Sequence, residues 1–594
     1  MATETRVLRA ALGSSSLAAR LCPALDIGLA ALAAAVWYVH PQEGAWPLAL
    51  IGIGWLLRFA VYGYLTQSTP FDLPLLLFLA SAFLSVSLAF SQGQQWLDSV
   101  APLLWAWAKF WTIVPALALF VAVANLRGVR QVWWFARVYA CLAVATTLYF
   151  VATNDWQVRG GKFDLLTQLG ALLSEPLPDV PGRRLNPNVV GGVIAMLVPF
   201  CLALWCEARA RRREFIAWGA VTLIALFGLL MSASRGAWIA VAVVVLVWAL
   251  WRELSAGSAR SRVRLILLAL VLLAGALVLG AFADLGTIQV SANPGASSVI
   301  SRMALWQGGL SLAQDYLFTG GGLGAFPMLY STYVLQVPVF FIAHAHNVWL
   351  DMVLDQGLLG LIAFGWLLVL ACVLSLRGLR LLNAQQTRQA TLARWLLEAA
   401  LASLLVTLVH GLVDDIAFGS RALLLLFVPL GVMAALYRRF PAMQVTVRWR
   451  VGFPRGRLNA RVGSLPWRWL AAGLAPLLVI ALWQYSALVA QWHANLGALW
   501  QTQTELGPYH VPDRLPEMVR RDADLTVASD EFNLALSADR LNRTALQRLA
   551  MLALARGQYD AARAYVEPLY QRDPSNEPTR QLLGDAYLAL GRLD

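Results

Sequence analysis

The chain has 594 residues, 59% hydrophobic and 13% charged, with a mean hydropathy of +0.63, too little charge to coat a soluble domain of that length. Its 46 basic residues against 33 acidic ones leave a net charge of +13, almost wholly arginine, since Lys109 and Lys162 are the only lysines. These arginines punctuate apolar runs instead of gathering on one soluble face, which argues against a nucleic-acid binder and for spans oriented in a bilayer.

A hydrocarbon core about 30 Å thick needs roughly 20 apolar residues per helix. On that criterion the sequence predicts an all-α, polytopic helical membrane protein. About 13 spans are expected, near 23–40, 46–65, 72–91, 105–125, 131–153, 188–206, 215–232, 237–252, 265–284, 347–374, 394–413, 418–437 and 469–491. Residues 1–22 read as a cytoplasmic segment before an uncleaved first span, because no small-residue cleavage site follows the run.

Arginine-rich short loops stay cytoplasmic, which fixes the orientation. Arg6, Arg9 and Arg20 precede the first span; Arg127 and Arg130 follow the fourth, and Arg209 to Arg213 the sixth. Further clusters at 252–264, 377–388 and 438–468 fall on the same side. Three parts then face outward: the loop 154–187, the large loop 285–346, and everything after 491. Five cysteines without a CxxC, lying in or beside apolar runs, indicate neither a disulfide framework nor a zinc site.

The tail 492–594 abandons the apolar pattern and matches itself at a spacing of 34 residues: Asp539 with Asp573, Asn542 with Asn576, Gly557 with Gly591. That is the period of a tetratricopeptide repeat. A small soluble helical domain for docking a partner is expected, with its second unit interrupted at Asp594; a solubilising cap is the competing reading.

Ionisable groups beside apolar runs are costly unless paired or wet, so each outward one is a candidate site. Arg235 in "MSASRGAWIA" is pinned at the membrane boundary by a turn that Gly236 eases and in which Ser232 and Ser234 can satisfy backbone groups. Arg302 opens an amphipathic stretch with Ile300, Leu305, Trp306, Leu310 and Leu312, followed by a tight turn at Gly320 to Gly324. The bland alternatives are a snorkelling anchor for Arg235 and a solvated face for Arg302.

The segment "HAHNVWLDMVLDQGLLG" begins at His344. Taking His346 as a helix start, His346, Leu350, Val353, Gly357 and Gly360 form one stripe, and the two glycines would admit a close neighbouring helix. A helix N-terminus favours neutral imidazole, the form a base requires. His410 and Asp414 stand four apart, with Asp415 and Arg421 following; they can orient an acceptor hydroxyl or simply form a local ion-pair network. Lys109, Arg58 and Arg137 receive no role. No HExxH, Walker A loop or GxSxG occurs, so neither a metal nor a nucleotide cofactor is implied.

Taken together, these segments resemble the O-antigen ligase and polymerase family of bacterial envelope proteins over roughly 70–440. The resemblance rests on histidine-asparagine, nine residues, glycine, two residues, glycine (His346, Asn347, Gly357, Gly360). It rests also on "SRG" at Ser234 to Gly236, "SRMALWQGGL" around Arg302, and "NPNVVGGVIAMLVPF" from Asn186 to Phe200. It implies a transmembrane domain over 23–491 that moves a glycan from an undecaprenyl-diphosphate carrier to an acceptor hydroxyl, without metal or nucleotide. The setting would be the outer leaflet of the bacterial inner membrane, with the N-terminus cytoplasmic and the tail periplasmic. Arg235 and Arg302 would bind the donor diphosphate and His346 would be the catalytic base, in one inverting displacement. His344, Asn347, His410, Asp414 and Arg421 would hold the acceptor or support the base.

The acceptor would be a glycan, a lipid or a protein, and the repeat domain would recruit a protein or polysaccharide. A transporter and a non-catalytic scaffold are the competing classes; transporters favour charged sites at the midplane and internal repeats. An enzyme should keep its chemistry on a small acceptor after loss of 493–594, whereas a scaffold should not.

Overall fold

The computed structural model describes residues 16–39, 46–88, 106–156, 163–176, 185–256, 300–336, 342, 344–415, 419, 422–440, 443, 483–507 and 516–592. Among them every regular element is helical. In chain order these are α1 (Ser16–Val39), α2 (Pro47–Tyr62), α3 (Asp72–Leu88), α4 (Ala106–Ala124), α5 (Val129–Thr153), α6 (Asp164–Ser174), α7 (Pro187–Glu207), α8 (Arg212–Met231) and α9 (Arg235–Ala256). There follow α10 (Ile300–Asp315), α11 (Phe326–Tyr330), α12 (Val348–Asn383), α13 (Arg388–His410), α14 (Leu423–Leu426) and α15 (Val428–Arg439). The C-terminal set is α16 (Tyr485–Leu506), α17 (Pro516–Asp522), α18 (Thr526–Ala538), α19 (Arg543–Ala555), α20 (Tyr559–Arg572) and α21 (Glu577–Ala589).

Among the described residues seven helices, α1, α4, α5, α7, α8, α12 and α13, are long and apolar enough to cross a membrane, and α2, α3 and α9 are apolar but shorter. The chain is a multi-pass membrane protein. Leu56, Val138, Leu148 and Val369 are each at least 60% exposed, as side chains facing lipid must be. The opposite faces close on one core containing Phe71, Phe78, Phe120, Phe364 and Phe427. Two arginines of the bundle have acidic partners. Arg58 bonds Asp26 at 2.5 Å, and Arg137 meets Glu214 at 2.8 Å, so both have local structural partners.

A count of thirteen is not reached among the described residues. The span expected at 265–284 lies outside them, as does 469–482. The span expected at 418–437 is broken into α14 and α15, each too short to cross a bilayer. Pro429 at the start of α15 has no N–H to continue the preceding helix. Nearly every residue of this pair is buried, so its hydropathy reflects the protein core.

The tail is helical, and the 34-residue self-match has a physical basis. Asn542 and Asn576 cap α19 and α21 by accepting from Ala545 N at 3.0 Å and Thr579 N at 3.1 Å. Gly557 and Gly591 both take φ +72° just past the ends of these helices, where glycine is the residue that fits without strain. The boundary expected at 491/492 falls inside α16, which packs on α18. A second core joins Leu305, Leu312 and Tyr333 of the loop region to Ala494, Ala498 and Leu549 of the C-terminal helices. Helix α10 therefore lies beneath these helices, with Leu310 left exposed on its other side.

Candidate functional site

The first wall of the site is the turn between α8 and α9. Ser232 Oγ donates to Leu229 O at 2.6 Å and accepts from Ser234 N at 3.3 Å, while Ala233 adopts φ +49°. The turn is wedged between two neighbours. A Cβ on Gly191 of α7 would lie 2.6 Å from Ser234 Cβ, and one on Gly236 would lie 2.8 Å from Val413 and 3.0 Å from the His410 ring. Arg235, the first residue of α9, is half-buried and makes no hydrogen bond or ion pair with any described residue.

The second wall is the start of α12. Asn347 caps it, accepting from Trp349 N at 3.0 Å and Leu350 N at 3.2 Å, and its amide donates to Leu412 O at 3.1 Å. Val348 N donates to Gly411 O at 2.8 Å. The helix therefore begins one residue after the cap, and His346 precedes it, contrary to the reading of His346 as helix start. The backbone of His346 is left-handed, φ +52°, a conformation a non-glycine residue holds only where its surroundings impose it. Two bonds impose it here: Ala345 N donates to Asp351 Oδ1 at 2.8 Å, and His346 N donates to His344 Nδ1 at 3.2 Å.

This strained turn delivers the His346 ring to Asp414. His346 Nδ1 lies 2.8 Å from Asp414 Oδ1, and Arg302 Nη2 lies 3.6 Å from Asp414 Oδ2. One buried carboxylate thus joins the imidazole and one of the two guanidiniums. Burial pushes the Asp414 carboxyl up, but the His346 hydrogen bond and the surrounding imidazoles outweigh it and bring it down to about 2. The His344 ring, 4.2 Å from that of His346, is pulled down to about 4, first by burial and then by His346. His410 ends α13, with its ring against Gly236 and its Nε2 unbonded among the described residues. Its ring is not paired with the Asp414 carboxylate among the described residues; Asp414, one turn beyond it, donates its backbone N–H to His410 O at 3.0 Å. Arg421 lies outside the described residues.

The floor corrects another expectation. Gly357 breaks α12 at φ +64°, ψ −163°, so the stripe from His346 to Gly360 does not form. The glycine turn, not a helix, enters the gap. A Cβ at Gly357 would lie 2.5 Å from Phe318 O and 2.6 Å from Gly320 N. Gly321 N donates to Leu354 O at 2.7 Å and Leu358 N to Leu317 O at 2.8 Å. Asp355 secures the turn by accepting from Gly324 N at 3.0 Å, and its other oxygen pairs with Lys109. The reading of the sequence gave Asp351, Asp355 and Lys109 no place. Two acids four residues apart, directly after His346-Asn347 in an apolar run, are the signal that marks them.

Chemically, the cluster offers an imidazole oriented by a carboxylate, with the Arg302 guanidinium on that same carboxylate; Arg235 stands on the neighbouring turn, whose Gly236 packs against His410. His344, His346 and Asp414 also present ligand atoms within 4.8 Å of one another, a spacing suited to a metal ion. Two of those atoms, His346 Nδ1 and Asp414 Oδ1, already bond each other, and His344 Nδ1 accepts the His346 amide.

Among known protein families, residues 220–365 match the model of the O-antigen ligase and residues 535–594 that of a tetratricopeptide repeat. The first match contains Arg235, Arg302, His346 and Asn347, while His410 and Asp414 lie beyond it. No curated protein matches the chain.

Proposed function

We propose that this membrane protein, whose residues 220–365 match the O-antigen ligase family, transfers a glycan from an undecaprenyl-diphosphate carrier to an acceptor hydroxyl. The reaction runs at the outer leaflet of the bacterial inner membrane. The observation that carries the reading is the contact of His346 with Asp414 at 2.8 Å, with Arg302 on the same carboxylate at 3.6 Å.

Asp414 accepts the Nδ1 proton of His346, which leaves the Nε2 lone pair as the base. The acceptor oxygen attacks the anomeric carbon as its proton passes to Nε2. The bond from that carbon to the diphosphate oxygen breaks, and its electron pair stays on the leaving diphosphate. Arg302 and Arg235 take up that charge, since a guanidinium fork matches phosphate oxygens in bidentate fashion. The single displacement inverts the anomeric configuration and calls for no covalent intermediate. Asn347 fixes the start of α12 and so the turn that bears His346. His344, Asp351 and Asp355 hold that turn and its floor, and His410 packs behind Arg235. The hydrogen bonds among His344, His346 and Asp414 support a metal-free reading, under which chelator treatment leaves turnover unchanged.

The arginine clusters support a cytoplasmic N-terminus for residues 1–22, a transmembrane domain over 23–491, and periplasmic C-terminal helices from 492 onward. The acceptor is a glycan, lipid or protein, and the repeats offer a surface for a protein or glycan partner. In proteoliposomes loaded with the lipid-linked glycan, His346→Ala is expected to abolish transfer while donor binding persists. Wild-type turnover in that variant would remove the base from the mechanism.

A further inference from the structure

Helix α10 carries Arg302 in its first turn and Asp315 at its end, 13 residues apart or about 20 Å along a rigid rod. The two ends are held very differently. Among the described residues Arg302 makes one ion contact, at 3.6 Å. Asp315 is 5% exposed and is gripped by three side chains of α19. Arg543 Nη2 lies at 3.0 Å and Thr544 Oγ1 at 2.7 Å from Oδ1, while Arg548 Nη2 lies at 3.1 Å from Oδ2.

Arg548 is 1% exposed. It also donates to Tyr316 Oη at 3.1 Å and stacks 3.4 Å from the centre of the Tyr333 ring. The contact continues into α16. Tyr316 Oη meets Thr502 Oγ1 at 2.5 Å, Tyr333 Oη donates to Glu505 at 3.1 Å, and Arg520 forms two bonds of 2.9 Å to that same carboxylate. Asn495 Oδ1 accepts from Phe318 N at 2.8 Å, just before the glycine turn that docks at Gly357.

A surface kept open for recruiting partners gains nothing from desolvating this many charges. Buried charges held by this many fixed partners lock the two elements in one geometry. Since α10 is rigid, what fixes Asp315 also sets the place of Arg302.

We propose that the C-terminal helices clamp α10 and thereby position Arg302 for the donor diphosphate, with Arg548 and Asp315 as positioning residues. The proposal rests on the reading of Arg302 as a diphosphate ligand. The repeats then support the donor site through α10 and are not a detachable module, so, in place of the expectation drawn from the sequence, losing 493–594 should impair transfer even to a small acceptor.

The test measures affinity for undecaprenyl diphosphate with the full-length protein in detergent, in a double-mutant cycle of Arg548→Met and Arg302→Ala. Arg548→Met is expected to weaken binding about tenfold in the wild-type background and to add nothing once Arg302 is gone. Arg548→Lys should restore part of the loss. Wild-type affinity in folded Arg548→Met, or a loss that adds fully to that of Arg302→Ala, overturns the clamp. Unchanged affinity in Arg302→Ala itself overturns the underlying reading of Arg302. If Arg548→Met does not fold, Asp315→Asn takes its place in the cycle with the same outcomes. A variant that merely lowers the folded fraction reduces the number of sites without altering their affinity.

Discussion

Asp414 is the residue through which the site is wired, because it is buried and touches both the imidazole and a guanidinium. Asp414→Asn keeps the shape but exchanges the carboxylate for an amide that favours the wrong imidazole tautomer. Turnover is expected to fall about a hundredfold or more, measured as kcat at saturating donor. Arg235→Lys keeps the charge and loses the fork, so donor affinity should fall about tenfold; equal affinity would mark Arg235 as an anchor. The shifts also set a dependence on pH. His344, held at about 4, destabilises the fold as pH drops below its ordinary value of 6.5 toward 4, because the unfolded chain takes the proton first. Asp414, held at about 2, adds stability that is complete above the ordinary 3.8 and lost as pH falls through 2. Thermal midpoints should therefore fall from pH 6.5 to 4, and His344→Gln should flatten that fall. The sequence marks His346 and the arginines through local motifs, and it offers Asp414 only in a separate cluster with His410. That a side chain 68 residues away closes on His346 Nδ1 is invisible to spacing.

Among the elements, the broken helix α12 matters most. Its hydropathy reads as one continuous span, yet Gly357 takes a conformation denied to other residues and admits the turn at Gly320 to Gly324. Gly357→Ala would set a Cβ 2.5 Å from a backbone oxygen that cannot move cheaply. A loss of about 2–3 kcal/mol or more is expected, read as a lower thermal midpoint together with weaker transfer. Gly365→Ala in the same helix has nothing within 4 Å of the new Cβ and should be neutral or slightly stabilising. Most spans were legible within a few residues, because apolar run length is dictated by the bilayer. The region 418–437 was not, since a buried core helix and a lipid-facing one share the same hydropathy and only Pro429 hints at the break.

At the scale of the whole molecule, two cores meet at the end of the bundle that carries the site. The 34-residue period made the repeats legible through their caps and glycines. Their attachment was hidden, because Asp315 and Arg548 are 233 residues apart and no periodicity connects them. Lys109 shares a buried ion pair with Asp355 and is only 11% exposed, and the chain has one other lysine, Lys162. An amine-directed label that cannot cross lipid therefore has a single internal target, in the loop assigned to the outer face. Lys162 lies outside the described residues, and the proposed topology predicts its modification in intact spheroplasts. Modification only after the cells are opened would turn the protein upside down and move its chemistry to the other leaflet.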